Sequence, residues 1–192
     1  MAYLILGLVL FLGTHSVRIV ADGWRTRTRE RIGEQAYKGI YSLLSLAGFV
    51  LLIWGFGLAR DTPVFLWQPP PAMRHVAALF NVLAFVLLAA AQVPGNAIKA
   101  RVHHPMVLGV KTWAFAHLIS NGNLAHVLLF GSFLAWAVVD YISSRRRDRA
   151  QGIQYPAGTA GATVLTVVAG VGAALVFAFW LHGLLIGIKP FG

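Results

Sequence analysis

Five predominantly apolar runs, each about 20 residues long, are the feature that most constrains this chain of 192 residues. A helix needs about 20 apolar residues to cross the hydrocarbon core of a bilayer. Only 11% of the residues are charged, against about 25% in an average soluble domain, so the chain cannot cover its apolar surface in water. The sequence therefore predicts a membrane protein with spans at roughly 2–22, 39–59, 75–95, 124–142 and 159–187.

A sixth apolar segment, Pro105–Ser120, is shorter than the others. Its length as an α-helix is only ~24 Å, so it crosses with help from flanking residues or turns back at Asn121-Gly122-Asn123. In both cases it pairs with the next span as a tight helical hairpin. We therefore predict an all-α membrane protein, a six-transmembrane helix bundle with a short helix-4/helix-5 hairpin, forming a single transmembrane domain over residues 1–192.

The positive charge is concentrated in alternate connections between the spans. Lys and Arg number 16 against 6 Asp and Glu, a net charge of +10. The positive-inside rule places the basic loops in the cytoplasm and both termini outside. The surplus is therefore mostly a signal of topology, together with attraction to anionic lipid headgroups worth about 1 kcal/mol per basic residue near the surface, and nucleic-acid binding is the weaker interpretation. The basic loops carry Arg25, Arg27, Arg29, Arg31, Lys38, Lys99, Arg101, Arg145, Arg146, Arg147 and Arg149, and the opposite side carries Arg60, Arg74 and Lys189.

Several kinds of catalytic site are excluded by what the sequence lacks. Without cysteine there is no disulfide framework, no thiolate metal site and no Cys nucleophile. There is also no Walker A loop, no dinucleotide-binding glycine fingerprint, no HExxH helix and no nucleophile elbow. A metal or cofactor would have to be held by His, carboxylate or neutral groups.

Ionisable residues inside the first span are the first candidate site. His15, Arg18 and Asp22 fall at i, i+3 and i+7, so one helix would place them on one face, where Arg18 and Asp22 can pair. If Asp22 marks the membrane boundary, His15 lies ~10 Å inside it. A charge near the middle of a span costs ~3 kcal/mol, so such residues usually face the bundle interior.

The second concentration of ionisable residues runs from His103 to His126. His103-His104-Pro105 opens the short helix, and Lys111 follows His104 by seven residues on nearly the same face. His117 and His126 lie deep in their helices. With His15 of the first span, the chain therefore has three deep histidines. They suit the axial ligation of haem iron or a proton relay, and the simpler alternative is that they form hydrogen bonds between helices.

These segments resemble a known family in both motif and order. The sequence contains Gly13-Thr14-His15-Ser16 with Arg18, and later His103-His104-Pro105-Met106, Val110-Lys111-Thr112-Trp113-Ala114, Ala116–Ala125 and Leu129-Phe130-Gly131. In this arrangement the chain resembles the NnrU family of integral membrane proteins, with residues 10–140 carrying most of the likeness.

The resemblance implies a haem site. The family is associated, in an accessory role, with nitrite and nitric oxide reduction in denitrifying bacteria, and it is related to 15-cis-zeta-carotene isomerase, which uses a histidine-ligated b-type haem. Carried over, the metal ligands become His15 and His126. Helical depths of ~10 Å for His15, ~18 Å for His117 and ~21–25 Å for His126 make His117 the alternative second ligand. Arg18 and Lys111 would pair with the haem propionates.

On this reading the chain is a multi-pass protein of the bacterial inner membrane that binds haem b. It would act in nitrite and nitric oxide metabolism, or as a haem-dependent isomerase of a lipid-soluble substrate, with respiratory or denitrification enzymes as partners. Two alternatives remain open from the residues alone: a cofactor-free proton-coupled transporter, and a scaffold or maturation factor for respiratory enzymes. A likeness in fold does not establish isomerisation.

Overall fold

The structure is a computed structural model that describes residues 1–191, and its regular elements are helices. In chain order they are α1 (Ala2–Val20), α2 (Asp22–Ile32), α3 (Glu34–Asp61), α4 (Met73–Gln92), α5 (Ala97–Val102), α6 (Pro105–Ser120), α7 (Leu124–Ala150), α8 (Ala160–Val176) and α9 (His182–Ile186). A π-helical turn, Phe177–Leu181, joins α8 to α9, so that this last helix runs continuously from Ala160 to Ile186.

Five of these helices are long and apolar enough to cross a membrane, in agreement with the five predicted runs. They are α1, α3, α4, α7 and the continuous helix Ala160–Ile186. Helix α6 has the predicted bounds and only 16 residues, fewer than the about 20 that a crossing needs. The all-helical, multi-pass character is therefore confirmed, whereas a sixth crossing stays a prediction.

The chain divides into two compact units, which are described separately. The first contains Met1–Gln68 and Asn121–Asp140, and the second contains Pro69–Ser120 and the described chain from Tyr141 onward. Helix α7 thus contributes its first part to one unit and its last turns to the other.

In the first unit, α1 and α3 run antiparallel in close contact. Gly7 meets the backbone of Leu52, and Gly55 meets the backbone of Leu4, so closely that a Cβ on either glycine would overlap it. Gly48 meets Phe11 in the same way. Small residues at such positions let two membrane helices approach at backbone distance, which increases their van der Waals contact.

The helix path breaks at both ends of α2. Ala21 leaves helical geometry at φ −141°, and Gly33 has φ 83° and ψ 155°, a conformation that glycine reaches without steric cost. Asp22 therefore begins α2 and does not continue α1, which corrects the expectation that His15, Arg18 and Asp22 share one helix. The physical reason is local: after Ala21 the sequence is polar and no longer favours an apolar span.

The segment Asn121-Gly122-Asn123 before α7 is not helical, and it is tied to the loop that follows α3. The backbone N–H groups of Leu66 and Trp67 donate to the carbonyl oxygen of Gly122, at 2.8 Å and 3.2 Å. The N–H of Leu124 donates to Val64 O at 2.8 Å. We name this hydrogen-bonded connection between the Val64–Trp67 loop and the segment before α7 the strap. A Cβ on Gly122 would overlap the carbonyl oxygen of Trp67, so the strap requires glycine at that position.

In the second unit, α4 packs against both α6 and α8. Gly109 on α6 lies against Ala84, and Gly170 on α8 lies against the backbone of Val86. Thr166, one turn before Gly170, is completely buried, and its hydroxyl donates to Ala162 O at 2.7 Å. The small residues of α8 thus pack against α4 without leaving a buried hydroxyl unpaired.

Candidate functional site

His15 lies on α1, where a backbone hydrogen bond fixes which of its ring nitrogens carries a hydrogen. Its Nδ1 atom is 2.7 Å from the carbonyl oxygen of Phe11, one turn earlier. A carbonyl oxygen only accepts, so Nδ1 must carry the hydrogen and donate it. In the neutral imidazole Nε2 then has the lone pair, and it takes no hydrogen bond from the part of the chain that the structure describes. This is the form in which histidine binds a metal.

Aromatic rings surround this imidazole. Ring centroids of Phe11, Tyr41 and Trp136 lie 4.3, 5.4 and 6.1 Å from that of His15. The indole N–H of Trp136 is buried and donates to no acceptor among the described residues. A buried donor without an acceptor is costly, so a bound group that brings an oxygen atom would satisfy it.

An open apolar groove of about 510 Å³ runs beside this histidine, between α1 and α7. Trp136 belongs both to its wall and to the ring of aromatic residues around His15. The remaining wall residues are apolar or small: Leu8, Val9, Leu12, Gly13, Ser16, Ile19, Val20, Ser132, Ala135 and Val139. The groove suits a flat or elongated apolar molecule.

Arg18 lies one turn beyond His15, toward the arginine-rich connection. Its Nε atom is 4.0 Å from Oδ1 of Asp22, and its side chain is 54% exposed. The predicted pairing with Asp22 is present at this distance, although Asp22 is on the next helix. Because Asp22 is also 3.7 Å from Nη1 of Arg25, its single carboxylate is shared and leaves Arg18 accessible to another anion.

His126 lies at the beginning of α7, where Asn123 Oδ1 accepts a hydrogen bond from its backbone N–H at 3.1 Å. Its ring lies among Phe56 and Phe130, with centroids 5.2 and 5.9 Å away. The Nδ1 atom is buried and has no hydrogen-bond partner among the described residues. His126 therefore differs from His15, since no backbone acceptor fixes its tautomer.

The structure does not bring His15 and His126 together. The His15 ring contacts Trp136, ten residues beyond His126 on the same helix, which corresponds to about 15 Å along its axis. The contacts with α3 indicate a similar separation. His15 contacts Tyr41 and His126 contacts Phe56, and these two residues of α3 are fifteen positions, or about 22 Å, apart along its axis. Two axial ligands must reach one iron from opposite sides, so these two histidines do not fit a single haem.

His117 and Lys111 belong to the second unit. Nδ1 of His117 lies 2.9 Å from the carbonyl oxygen of Trp113 and donates to it, the same arrangement as at His15. Lys111 is half-buried on α6 and forms no ion pair with any residue that the structure describes. Each unit therefore contains a histidine with a fixed tautomer and, on the same helix, a cationic side chain nearer to a basic connection. These pairs are His15 with Arg18 and His117 with Lys111.

A polar cluster that the sequence did not indicate lies at the start of α6. Nε2 of His104 is 2.8 Å from Oδ2 of Asp148, and the same oxygen accepts from the Tyr155 hydroxyl at 3.0 Å. Nη1 of Arg145 is 3.5 Å from it. The Asp148 side chain is only 14% exposed. Burial, together with the bond to this carboxylate, raises the pKa of the Tyr155 phenol. We name His104, Arg145, Asp148 and Tyr155 the Asp148 cluster.

A strained turn presents the two adjacent histidines to this cluster. His103 has φ 67° and ψ −51°, and the N–H of His104 donates to Val102 O at 2.8 Å, which defines a classic γ-turn. The His103 ring lies edge-on to Tyr155 with centroids 4.2 Å apart. Burial lowers the pKa of His103, and the charge of Arg145 lowers it further. A strained, non-glycine turn of this kind persists only where its surroundings hold it.

One residue of the Asp148 cluster, Asp148 itself, stands out in the sequence. Asp148 is the one acidic residue within Arg145-Arg146-Arg147-Asp148-Arg149, although nothing local shows that it pairs with His104, 44 positions away. Among the described residues no three His, Cys, Asp or Glu side chains converge as metal ligands.

The sequence was compared with known protein families, with curated proteins and with solved structures. The sequence model of the family described as "NnrU protein" matches residues 3–190, nearly the whole chain. Comparisons with curated proteins and with solved structures give no significant match.

Proposed function

The chain belongs to the NnrU family, and we propose that this membrane protein binds a b-type haem with His15 as an axial ligand. The observation that carries the proposal is the tautomer of His15. Its Nδ1–H is held by Phe11 O at 2.7 Å, which leaves the Nε2 lone pair for a metal. Histidine ligands of metals commonly donate their other ring nitrogen in this way.

The surroundings of His15 support a large, flat cofactor. The aromatic rings of Phe11, Tyr41 and Trp136 offer stacking and edge contacts, and the adjacent groove is apolar. Trp136 supplies a buried N–H donor for an oxygen atom of the bound group. Arg18, accessible one turn away, supplies a positive charge for a propionate.

The other residues predicted for the haem site are His126, His117 and Lys111, and the position of each decides its proposed role. His126 does not share an iron with His15, because about 15 Å of helix α7 separates their positions. His117 has the same fixed tautomer as His15 and suits the role of a metal ligand within the second unit. Lys111 has no ion-pair partner among the described residues and suits a contact with a propionate there.

When bound, a haem would supply one-electron chemistry and a coordination position for a diatomic molecule such as nitric oxide. We place the protein on this basis in nitrite and nitric oxide metabolism, with redox-linked isomerisation of a lipid-soluble substrate in the apolar groove as the second candidate. The proposed location is the bacterial inner membrane with the basic loops in the cytoplasm, beside respiratory or denitrification enzymes.

The experiment is the visible spectrum of the full chain, purified in detergent after expression with added haem precursor, in oxidised and reduced forms. We expect a stoichiometric b-type spectrum in the wild type. His15→Ala should lose the bound haem or change its ligation, and added imidazole should restore it by filling the vacated position. His117→Ala is measured in the same series because its ring has the same tautomer.

Two variants serve as controls. His75→Ala removes an exposed histidine, and His126→Ala removes one that lies too far along α7 to share the iron of His15, so both should keep the spectrum of the His15-ligated haem. A wild type that stays colourless with haem supplied would exclude the cofactor. Normal haem content and ligation in His15→Ala would exclude His15.

A further inference from the structure

The four arginines of α2 divide into two pairs, and one pair is engaged within the first unit. Nη1 of Arg25 is 3.7 Å from Oδ1 of Asp22, and its guanidinium lies 5.8 Å from the ring centroid of Tyr37. Nη2 of Arg29 is 3.4 Å from Oε2 of Glu34, which also holds Lys38. Arg25 and Arg29 therefore attach α2 to its neighbours in the chain.

The other pair has no such contacts. Arg27 and Arg31 are exposed and form neither a hydrogen bond nor an ion pair with any residue in the described part of the chain. At 3.6 residues per turn, Trp24, Arg27 and Arg31 point within about 60° of one another, on the side of α2 opposite Arg25 and Arg29. We name these three residues the free face of α2.

The location of this face indicates what it meets. Helix α2 connects α1 and α3, two antiparallel helices that are each long and apolar enough to span a membrane, so it lies at the end of two spans. Trp24 is 53% exposed, and Val20, the last residue of α1, is 80% exposed. Tryptophan concentrates at the boundary between bilayer and water, and free arginines there lie within reach of lipid phosphates.

The charge of the free face selects among lipids. Arginine presents a planar fork of N–H donors that matches the oxygens of a phosphate. Glu30 is the one carboxylate near the face, so the two arginines leave it positive. We propose that the free face of α2 binds acidic phospholipid headgroups, with Arg27 and Arg31 at the phosphate and Trp24 at the bilayer surface.

The test measures lipid binding by the full chain in detergent, with native mass spectrometry as the readout. The probes are dioleoyl phosphatidylglycerol and the zwitterionic dioleoyl phosphatidylcholine. The wild type should prefer phosphatidylglycerol. The double variant R27Q/R31Q should bind phosphatidylglycerol about thirty-fold more weakly, at about five-fold per arginine, and bind phosphatidylcholine as the wild type does. Its melting temperature in detergent should be unchanged.

The matched control is R25Q/R29Q, which removes the same charge from the same helix. It should lower the melting temperature, because it breaks contacts within the unit, and keep most of the lipid preference. Equal loss of phosphatidylglycerol binding in both double variants would show a general charge effect and overturn the proposal. Unchanged binding in R27Q/R31Q, or complete competition by millimolar inorganic phosphate, would also overturn it and leave these arginines to a soluble anion or an acidic protein.

Discussion

The Nε2 atom of His104 lies 2.8 Å from Oδ2 of Asp148, which joins the turn before α6 to the last turn of α7 within the second unit. Tyr155, from the segment after α7, donates to the same oxygen. One carboxylate thus connects three parts of the chain.

Replacing this carboxylate should destabilise the protein. Asp148→Asn removes the charge that His104, Arg145 and Tyr155 share, and we expect a loss of about 2 kcal/mol in the free energy of unfolding, since hydrogen bonds to a charged group are the stronger ones. Tyr155→Phe removes a single bond and should cost about 1 kcal/mol. Thermal unfolding in detergent measures both. Asp61→Asn, at an exposed carboxylate outside the cluster, is the control, and an equal effect there would contradict a specific role for Asp148.

The free energy of unfolding should decrease as the pH is lowered, because of His103. Burial and Arg145 hold the pKa of its imidazole below the ordinary 6.5, whereas Asp148 acts in the opposite direction. As the pH falls below about 6.5, the unfolded chain takes up this proton before the folded chain does. The unfolded state then binds more protons, so the free energy of unfolding decreases until the pH reaches the lowered pKa.

The measurement for His103 is the melting temperature between pH 8 and pH 5. His103→Gln should flatten the decrease below about pH 6.5, because the variant cannot take up the proton. His75→Gln, at an exposed histidine, should leave the curve unchanged. A wild-type slope in His103→Gln would show that another group causes the pH dependence.

Two glycines of α3 provide a matched test of the contact with α1. A Cβ at Gly55 would overlap the backbone of Leu4, whereas a Cβ at Gly57 meets open space. Gly55→Ala should therefore cost about 1–3 kcal/mol, because the two helices must move apart. Gly57→Ala should be neutral or stabilise by up to about 1 kcal/mol through helix propensity. Denaturation followed by circular dichroism compares them, and equal behaviour would argue against close contact of α1 and α3.

The strap between the Val64–Trp67 loop and the segment before α7 depends on Gly122. Gly122→Ala would place a methyl group on the carbonyl of Trp67 and disrupt the hydrogen bonds that Leu66 and Trp67 donate. We expect faster proteolysis of this loop and a loss of about 1–3 kcal/mol. Gly131→Ala, whose added methyl meets open space, should leave the cleavage rate unchanged. Wild-type protection in Gly122→Ala would show that the loop does not need the strap.

The sequence alone determined the spans and the depths of the histidines. Helix length follows from the length of an apolar run, so the bounds of α6 could be read directly, and rise per residue already separated His126 from His15. Tertiary structure decided the rest: the break at Ala21, the partner of Asp148, and which two arginines of α2 are free. His104 and Asp148 are 44 positions apart, and composition and spacing contain no information about such a pair. The break at Ala21 and the ion pairs of α2 are local, but they depend on backbone geometry that spacing alone does not fix.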